Sequence, residues 1–223
     1  MNAKNFTVNP CIICHHDTRI ITDSELKKPT PVVYHVCKTC ELIIKAPFSH
    51  PTHEDEKTLY MHHNNSMENV GYVNMFNRFI AAAVDPFITT GSGLDFGSGP
   101  GPVLYELLKQ KGFTMTHYDP YFHPDKTALN NTYDLITSTE VFEHLSDPLA
   151  TFKRLESMLN THGILAIMTN FHPKHDETFL SWWYRRDPTH IAFYTTKTFE
   201  YLSKETSLQC IYTNHKNIIV FKK

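Results

Sequence analysis

The sequence predicts an α/β chain: a small cysteine-bearing module, then a largely parallel sheet covered by helices. Three observations predict it. From about residue 90 onward, short apolar strand-like runs alternate with amphipathic helical runs, the pattern of right-handed crossovers in a parallel sheet. A glycine-rich turn joins the first of those strands to its helix. Two C-x-x-C pairs lie near the amino terminus.

Cys11-x-x-Cys14 and Cys37-x-x-Cys40 are separated by 22 residues. Each turn offers two sulfurs, and four thiolates complete a tetrahedral zinc site with no open position, so a structural Zn²⁺ is expected. Two disulfides are the competing reading, disfavoured in a chain without a secretory signal. A module this small has little core, so metal binding should supply much of its folding free energy. Residues 29–36 read as a strand leading into the second pair. Cys210 stands apart in an apolar run and reads as a core thiol.

Residues 47–56, rich in proline, histidine and acid, read as a linker. Between Val73 and Phe87, apolar residues recur at three- and four-residue steps, a helix with a buried stripe. The expected division is therefore a zinc-ribbon module over 1–50, a linker and helical lead-in over 51–90, and the sheet domain over 91–223.

Residues 94–102, Leu-Asp-Phe-Gly-Ser-Gly-Pro-Gly-Pro, carry the most information. Gly97, Gly99 and Gly101 allow a tight turn and close approach of a ligand to the backbone. Pro102 suits a first helical turn, whose orphan amides carry partial positive charge. A dinucleotide fingerprint needs G-x-G-x-x-G, and proline at position 102 breaks it. Asp95 would repel a pyrophosphate but attract the cationic amino end of a sulfonium nucleoside. Asp119 closes a second strand 22 residues after Gly97, where such sheets place a carboxylate for ribose hydroxyls. Strands at about 133–139 and 163–170, a helix at about 149–159, a later helix from 198 and two closing strands complete the pattern.

At these residues the sequence resembles class I S-adenosylmethionine (SAM) dependent methyltransferases over about residues 90–223. L-D-F-G-S-G-P-G is similar to the family's first motif, Asp119 to its ribose acid, and T-E-V-F-E-H-L-S-D-P to the segment after its fourth strand. The chain also resembles bacterial zinc-ribbon methyltransferases that share H-H-N and W-W-Y-R-R-D-P-T-H. The resemblance implies a Rossmann-like sheet with an antiparallel final strand, SAM as cofactor, and cofactor contacts from Asp95, Phe96, Gly97, Ser98, Gly99, Gly101, Asp119, Pro120 and Glu140. One departure stands out. Only 14 residues separate Asp119 from Asp134, so strand 3 must be short or missing, and Tyr121 or Phe122 are left to pack on adenine or in the core.

Methyl transfer mainly requires an aligned, desolvated nucleophile, with a base where a proton must leave. His144 and His190 are the expected catalytic residues. The resemblance leaves two readings of Glu140-x-x-Glu143-His144: an Mg²⁺ site completed by His190 or His172, or a metal-free loop, which is favoured. Trp183, Tyr184 and Arg185, with His63, are expected at an aromatic, anion-tolerant substrate pocket.

The expected partner is a small-molecule acceptor. Competing functions are a methyltransferase for RNA or protein with the ribbon as docking module, and a non-catalytic SAM-binding adaptor. Net charge is −2, and residues 1–50 carry six Lys/Arg against four Asp/Glu, too little positive field to favour nucleic acid. No apolar run approaches a membrane span. Met1 to Asn9 lacks an apolar leader, so the cytoplasm is the expected compartment. Oligomeric state has no signal.

Overall fold

The computed structural model describes residues 9–23, 31–61 and 66–223. The amino-terminal module is a ribbon of β1 (Thr18–Asp23), β2 (Val32–Cys37) and β3 (Ile43–Lys45), all antiparallel. Each C-x-x-C turn ends in a non-glycine residue of positive φ, His15 at 59° and Glu41 at 64°. There the chain reverses, so that the amides of Cys11 and Cys37 reach the carbonyls of His16 and Leu42. The two knuckles therefore meet at one end of the β1–β2 pair, where Thr18 lies opposite Cys37.

After a short 3-10 turn at Pro47–Ser49 comes α1 (His53–Tyr60), where a linker was expected. Thr52 and Asp55 cap it reciprocally, satisfying two backbone groups that a weakly apolar sequence leaves without tertiary support. The helical stripe appears as α2 (Val70–Ala83), capped by the Asn69 side chain.

The large sheet has six strands in the order β5-β4-β6-β7-β10-β9: β4 (Ser92–Phe96), β5 (Thr114–Tyr118), β6 (Tyr133–Thr139), β7 (Leu159–Met168), β9 (Gln209–Thr213) and β10 (Ile218–Lys222). The first four are parallel, and β10 runs antiparallel between β7 and β9. Residues 119–132 hold only an isolated bridge and a 3-10 turn, so strand 3 is missing and β5 is the edge. Burial follows the two-residue period of a sheet covered on both faces. Leu135, Ile164, Ala166 and Val220 pack with Phe76, Phe79 and Ile80 of α2 and with Leu104 and Leu108 of α3 (Val103–Gln110). Ile136, Leu165, Ile167 and Phe221 pack on the other face with Phe152 and Leu155 of α4 (Pro148–Ser157) and Phe199 and Leu202 of α6 (Thr196–Lys204). Apart from Ala166, each such side chain contributes about 1.5–3 kcal/mol on burial.

Two features tie the ribbon to this body. After α5 (Asp176–Ser181), β8 (Ala192–Phe193) pairs with β3 as the ribbon's fourth strand. Cys11, Ile13 and Leu42 join the core that holds Phe142 and Tyr194. Cys210, expected in the core, is exposed: β9 is the outer edge strand, and its first three residues face solvent. Among the described residues no helix is long and apolar enough to cross a membrane.

Candidate active site

The chain leaves β4 toward β5 on one side and returns as β6 on the other, so a cleft opens at the carboxyl ends of these strands. Gly97 and Gly99 turn there at φ of 80° and 67°. A Cβ on Gly97 would stand 2.2 Å from a methyl of Val141, so both conformation and space require glycine. The amides of Gly97 and Ser98 donate to Tyr118 O, and that of Gly99 donates to Asp119 Oδ2 at 3.0 Å. Through Oδ1, Asp119 accepts from the amides of Tyr121 and Phe122. One carboxylate thus draws the glycine turn and the segment after β5 into a single rim. Ser98 Oγ is buried there without a hydrogen-bond partner among the described residues. Behind the turn, Asp95 accepts from Thr137 Oγ1 at 3.0 Å. Burial, opposed by that hydrogen bond and reinforced by the charge of Asp119, pushes its pKa up to about 7.

Asp95, Phe96, Gly97, Ser98, Gly99, Asp119, Pro120 and Glu140 line one cavity of about 650 Å³. Gly101 does not line it and is not among the residues of positive φ; it leads into α3. Three further segments close the cavity: α1, a 3-10 turn at Phe142–His144, and the stretch from Trp183 to His190. On α1, Glu56 accepts from Tyr121 Oη at 2.6 Å, and His53 Nδ1 lies 2.8 Å from the same oxygen. Tyr60 sets its ring edge-on to His144 at 5.3 Å.

Glu140 sits at φ 53° just past β6. Tyr184 Oη spans Glu140 Oε2 at 2.9 Å and Glu143 Oε1 at 2.5 Å. Burial raises both carboxyl pKa values, that of Glu143 strongly, with the neighbouring Glu140 charge adding to it. His144 Nδ1 meets Thr189 O at 3.0 Å and His190 Nδ1 meets Tyr184 O at 2.7 Å. A carbonyl accepts only, so each ring carries a proton on Nδ1, while Nε2 of His144 lies 3.9 Å from Glu143 Oε1 and Nε2 of His190 lies 3.9 Å from Asp187 Oδ2. The two rings stand 4.8 Å apart.

The predicted residues divide accordingly. His144, His190, Trp183 and Tyr184 come together at the cavity. Arg185, expected there, is buried elsewhere: it pairs with Asp23 of β1 and donates to the carbonyls of Phe179 and Leu180. His172 holds the carbonyls of Glu41 and Pro173 away from the cavity. His63 lies outside the described residues. Sequence reasoning missed His53 and Glu56, although the T-x-x-D pattern before them signals a helix start. It also missed Lys45 of β3, whose Nζ donates to Asp187 O and Pro188 O just before His190. No local signal marks a contact across more than 140 residues.

The four ribbon cysteines offer sulfurs that all lie within 4.8 Å of one another, with Cys11–Cys40 and Cys14–Cys37 both at 3.4 Å. A tetrahedral zinc with Zn–S of about 2.3 Å spaces its sulfurs by about 3.8 Å, so the tetrad fits a zinc ribbon.

The chain matches the family model described as "Methyltransferase domain" over residues 61–213. Among curated proteins no relative matches. Three solved structures share the fold. The N-methyltransferase NodS from Bradyrhizobium japonicum, in complex with S-adenosylhomocysteine (SAH), is 13% identical, with a TM-score of 0.53 over 76% of this chain and 97% of its own. CalO1, a methyltransferase in calicheamicin biosynthesis with SAH bound, is 16% identical, with a TM-score of 0.51 over 76% of this chain and 58% of its own. The mitomycin 7-O-methyltransferase MmcR is 12% identical, with a TM-score of 0.50 over 76% and 67%. The chain spans about half of coclaurine N-methyltransferase and under three fifths of CalO1. The family match covers more than two thirds of the sequence in the region that builds the cleft, and the chain belongs to the methyltransferase-domain family.

Proposed function

We propose that this methyltransferase modifies a small-molecule acceptor held between the glycine turn and the wall formed by Glu140, His144, Tyr184 and His190. The observation that carries this reading is the single cavity of about 650 Å³ in which the cofactor rim and both histidines meet, a volume typical of small-molecule sites. SAM, when bound, supplies a methyl group on a sulfonium whose sulfur leaves as a neutral thioether. Gly97, Ser98, Gly99 and Phe96 cradle the nucleoside, Asp119 takes the ribose hydroxyls, and Asp95 faces the cationic amino end. His144 and His190 hold the acceptor and take its proton on Nε2. The ribbon braces this wall through β8 and Lys45, and its packing against the body supports bracing over docking of RNA or protein.

Mg²⁺ fits the site poorly. Among the described residues the groups of this site close enough to share an ion are Glu143, His144 and His190, one carboxyl whose pKa burial raises and two imidazoles, whereas Mg²⁺ requires an oxygen shell. No step is assigned to it.

The test is calorimetric titration of zinc-loaded protein with SAH, then incubation with SAM and a small-molecule library read by mass spectrometry. Micromolar binding weakened at least tenfold by Asp119→Ala, and methylated products formed about a hundredfold more slowly by His144→Ala, are expected. Methylation confined to RNA or protein would replace this reading.

A further inference from the structure

Two carboxyl groups meet on one tyrosine. Tyr184 Oη lies 2.9 Å from Glu140 Oε2 and 2.5 Å from Glu143 Oε1, both within hydrogen-bond range. A phenol has one hydrogen and can donate it to one of them. The other contact closes only if that carboxyl carries a proton of its own and donates it to the tyrosine oxygen. Otherwise two oxygens meet lone pair to lone pair in the interior, at a high cost in unpaired polar groups.

Position decides which carboxyl holds the proton. Glu140 lines the cavity, whereas Glu143 is fully buried behind the wall and does not line it. The titratable groups that face Glu143 are Glu140 past β6, Tyr60 of α1, Tyr184 and Tyr194 on the chain after α5, and His144 of its own turn. None of them is a lysine or arginine. His144 Nε2 stands 3.9 Å away, in ion-pair range but beyond a hydrogen bond. Burial, with the Glu140 charge adding to it, raises the Glu143 pKa well above the ordinary value.

We infer that Glu143 is a positioning residue that works as a neutral carboxylic acid: it donates to Tyr184 Oη, which donates in turn to Glu140 and holds that carboxylate toward the cofactor. The inference rests on the site reading above, with Glu140 among the cofactor contacts. Donors aligned in one direction polarise one another, so the acid strengthens the bond that Tyr184 makes to Glu140. The backbone joins the same hub. The Glu143 carbonyl accepts from the Ile191 amide at 2.7 Å, and the Tyr184 carbonyl meets His190 Nδ1 at 2.7 Å. One buried acid thereby ties the turn after β6 to the stretch from Tyr184 to Ile191.

Infrared spectroscopy and calorimetry with SAH on the zinc-loaded protein test this. At pH 8 the parent should show the C=O stretch of a protonated carboxyl that persists in Asp95→Asn and vanishes in Glu143→Gln. Glutamine keeps a donor in the same place, so SAH affinity in Glu143→Gln should stay within about twofold of the parent. Glu143→Leu, Tyr184→Phe and the double variant should each lose about tenfold, as expected for one hydrogen bond to a charged group, and equally, because all three break one relay. Circular dichroism reports folding, and Tyr184→Phe carries the comparison where Glu143→Leu does not fold. Metal analysis should find one zinc per chain, that of the cysteine tetrad. No protonated band, a band that survives Glu143→Gln, or Glu143→Gln as damaging as Glu143→Leu overturns the inference. So does parent-like SAH binding by Glu143→Leu or Tyr184→Phe, or a second bound metal that Glu143→Gln removes. If the parent itself does not bind SAH, the site reading beneath fails, while the infrared band still decides where the proton sits.

Discussion

The proposed role of Asp95 at the cofactor's amino end is tied to stability through a quantity that can be measured. It is 3% exposed at the floor of the cleft, and its carboxyl pKa is raised from 3.8 to about 7, chiefly by burial. The gap between these values is worth about 4 kcal/mol, at about 1.4 kcal/mol per pH unit, an upper bound because the site relaxes on ionising. The folded carboxyl holds its proton more tightly than the unfolded one. Its contribution is therefore fully favourable below about pH 4 and is lost as pH rises through about 7. Asp95→Asn keeps the side-chain shape and still accepts from Thr137, but it no longer titrates. The ligand-free variant should melt about 5–10 °C higher than the parent at pH 8, with a smaller gain at pH 5. SAH affinity should fall at least tenfold, since the attraction for its amino group is gone, and the parent's rise in affinity between pH 6 and 8 should flatten. Thermal unfolding by circular dichroism at both pH values, paired with calorimetry, reads all of this. A variant no more stable than the parent at pH 8, or a gain equally large at pH 5, would refute the reasoning.

Two further outcomes follow from the ribbon's attachment. Asp23→Ala strands the buried guanidinium of Arg185 and should cost about 3–5 kcal/mol in denaturant unfolding, most of it restored by adding Arg185→Met; a double variant as unstable as the single would contradict the pairing. Cys40→Ser should abolish stoichiometric zinc and, because β3 and Lys45 hold the stretch before His190, lower the melting temperature and weaken acceptor binding together. Unchanged stability in a zinc-free variant would show that the ribbon braces nothing.

Much of the site was legible from local pattern. Leu94–Gly101 announces a strand, a turn that only glycine can make, and a helix start, all governed by interactions within a few residues. Asp119 was legible because a β–α–β unit has a fixed length, and the short interval to Asp134 foretold the missing strand. Where a run was read without its neighbours, reasoning failed. Cys210 lies in an apolar segment, yet apolarity does not distinguish an edge strand from a central one. Arg185 lies in an aromatic motif, yet its direction is set by Asp23, 162 residues earlier.

The sequence alone determined the fold class, the cysteine tetrad and the glycine turn, because periodicity, cysteine spacing and glycine conformation are properties of contiguous chain. Tertiary structure decided the character of the cavity wall. It turned Arg185 away, brought His144 and His190 to 4.8 Å, set Tyr184 between two glutamates and laid α1 across the cleft. These are balances of charge, burial and hydrogen bonding among segments that meet only after the sheet has formed.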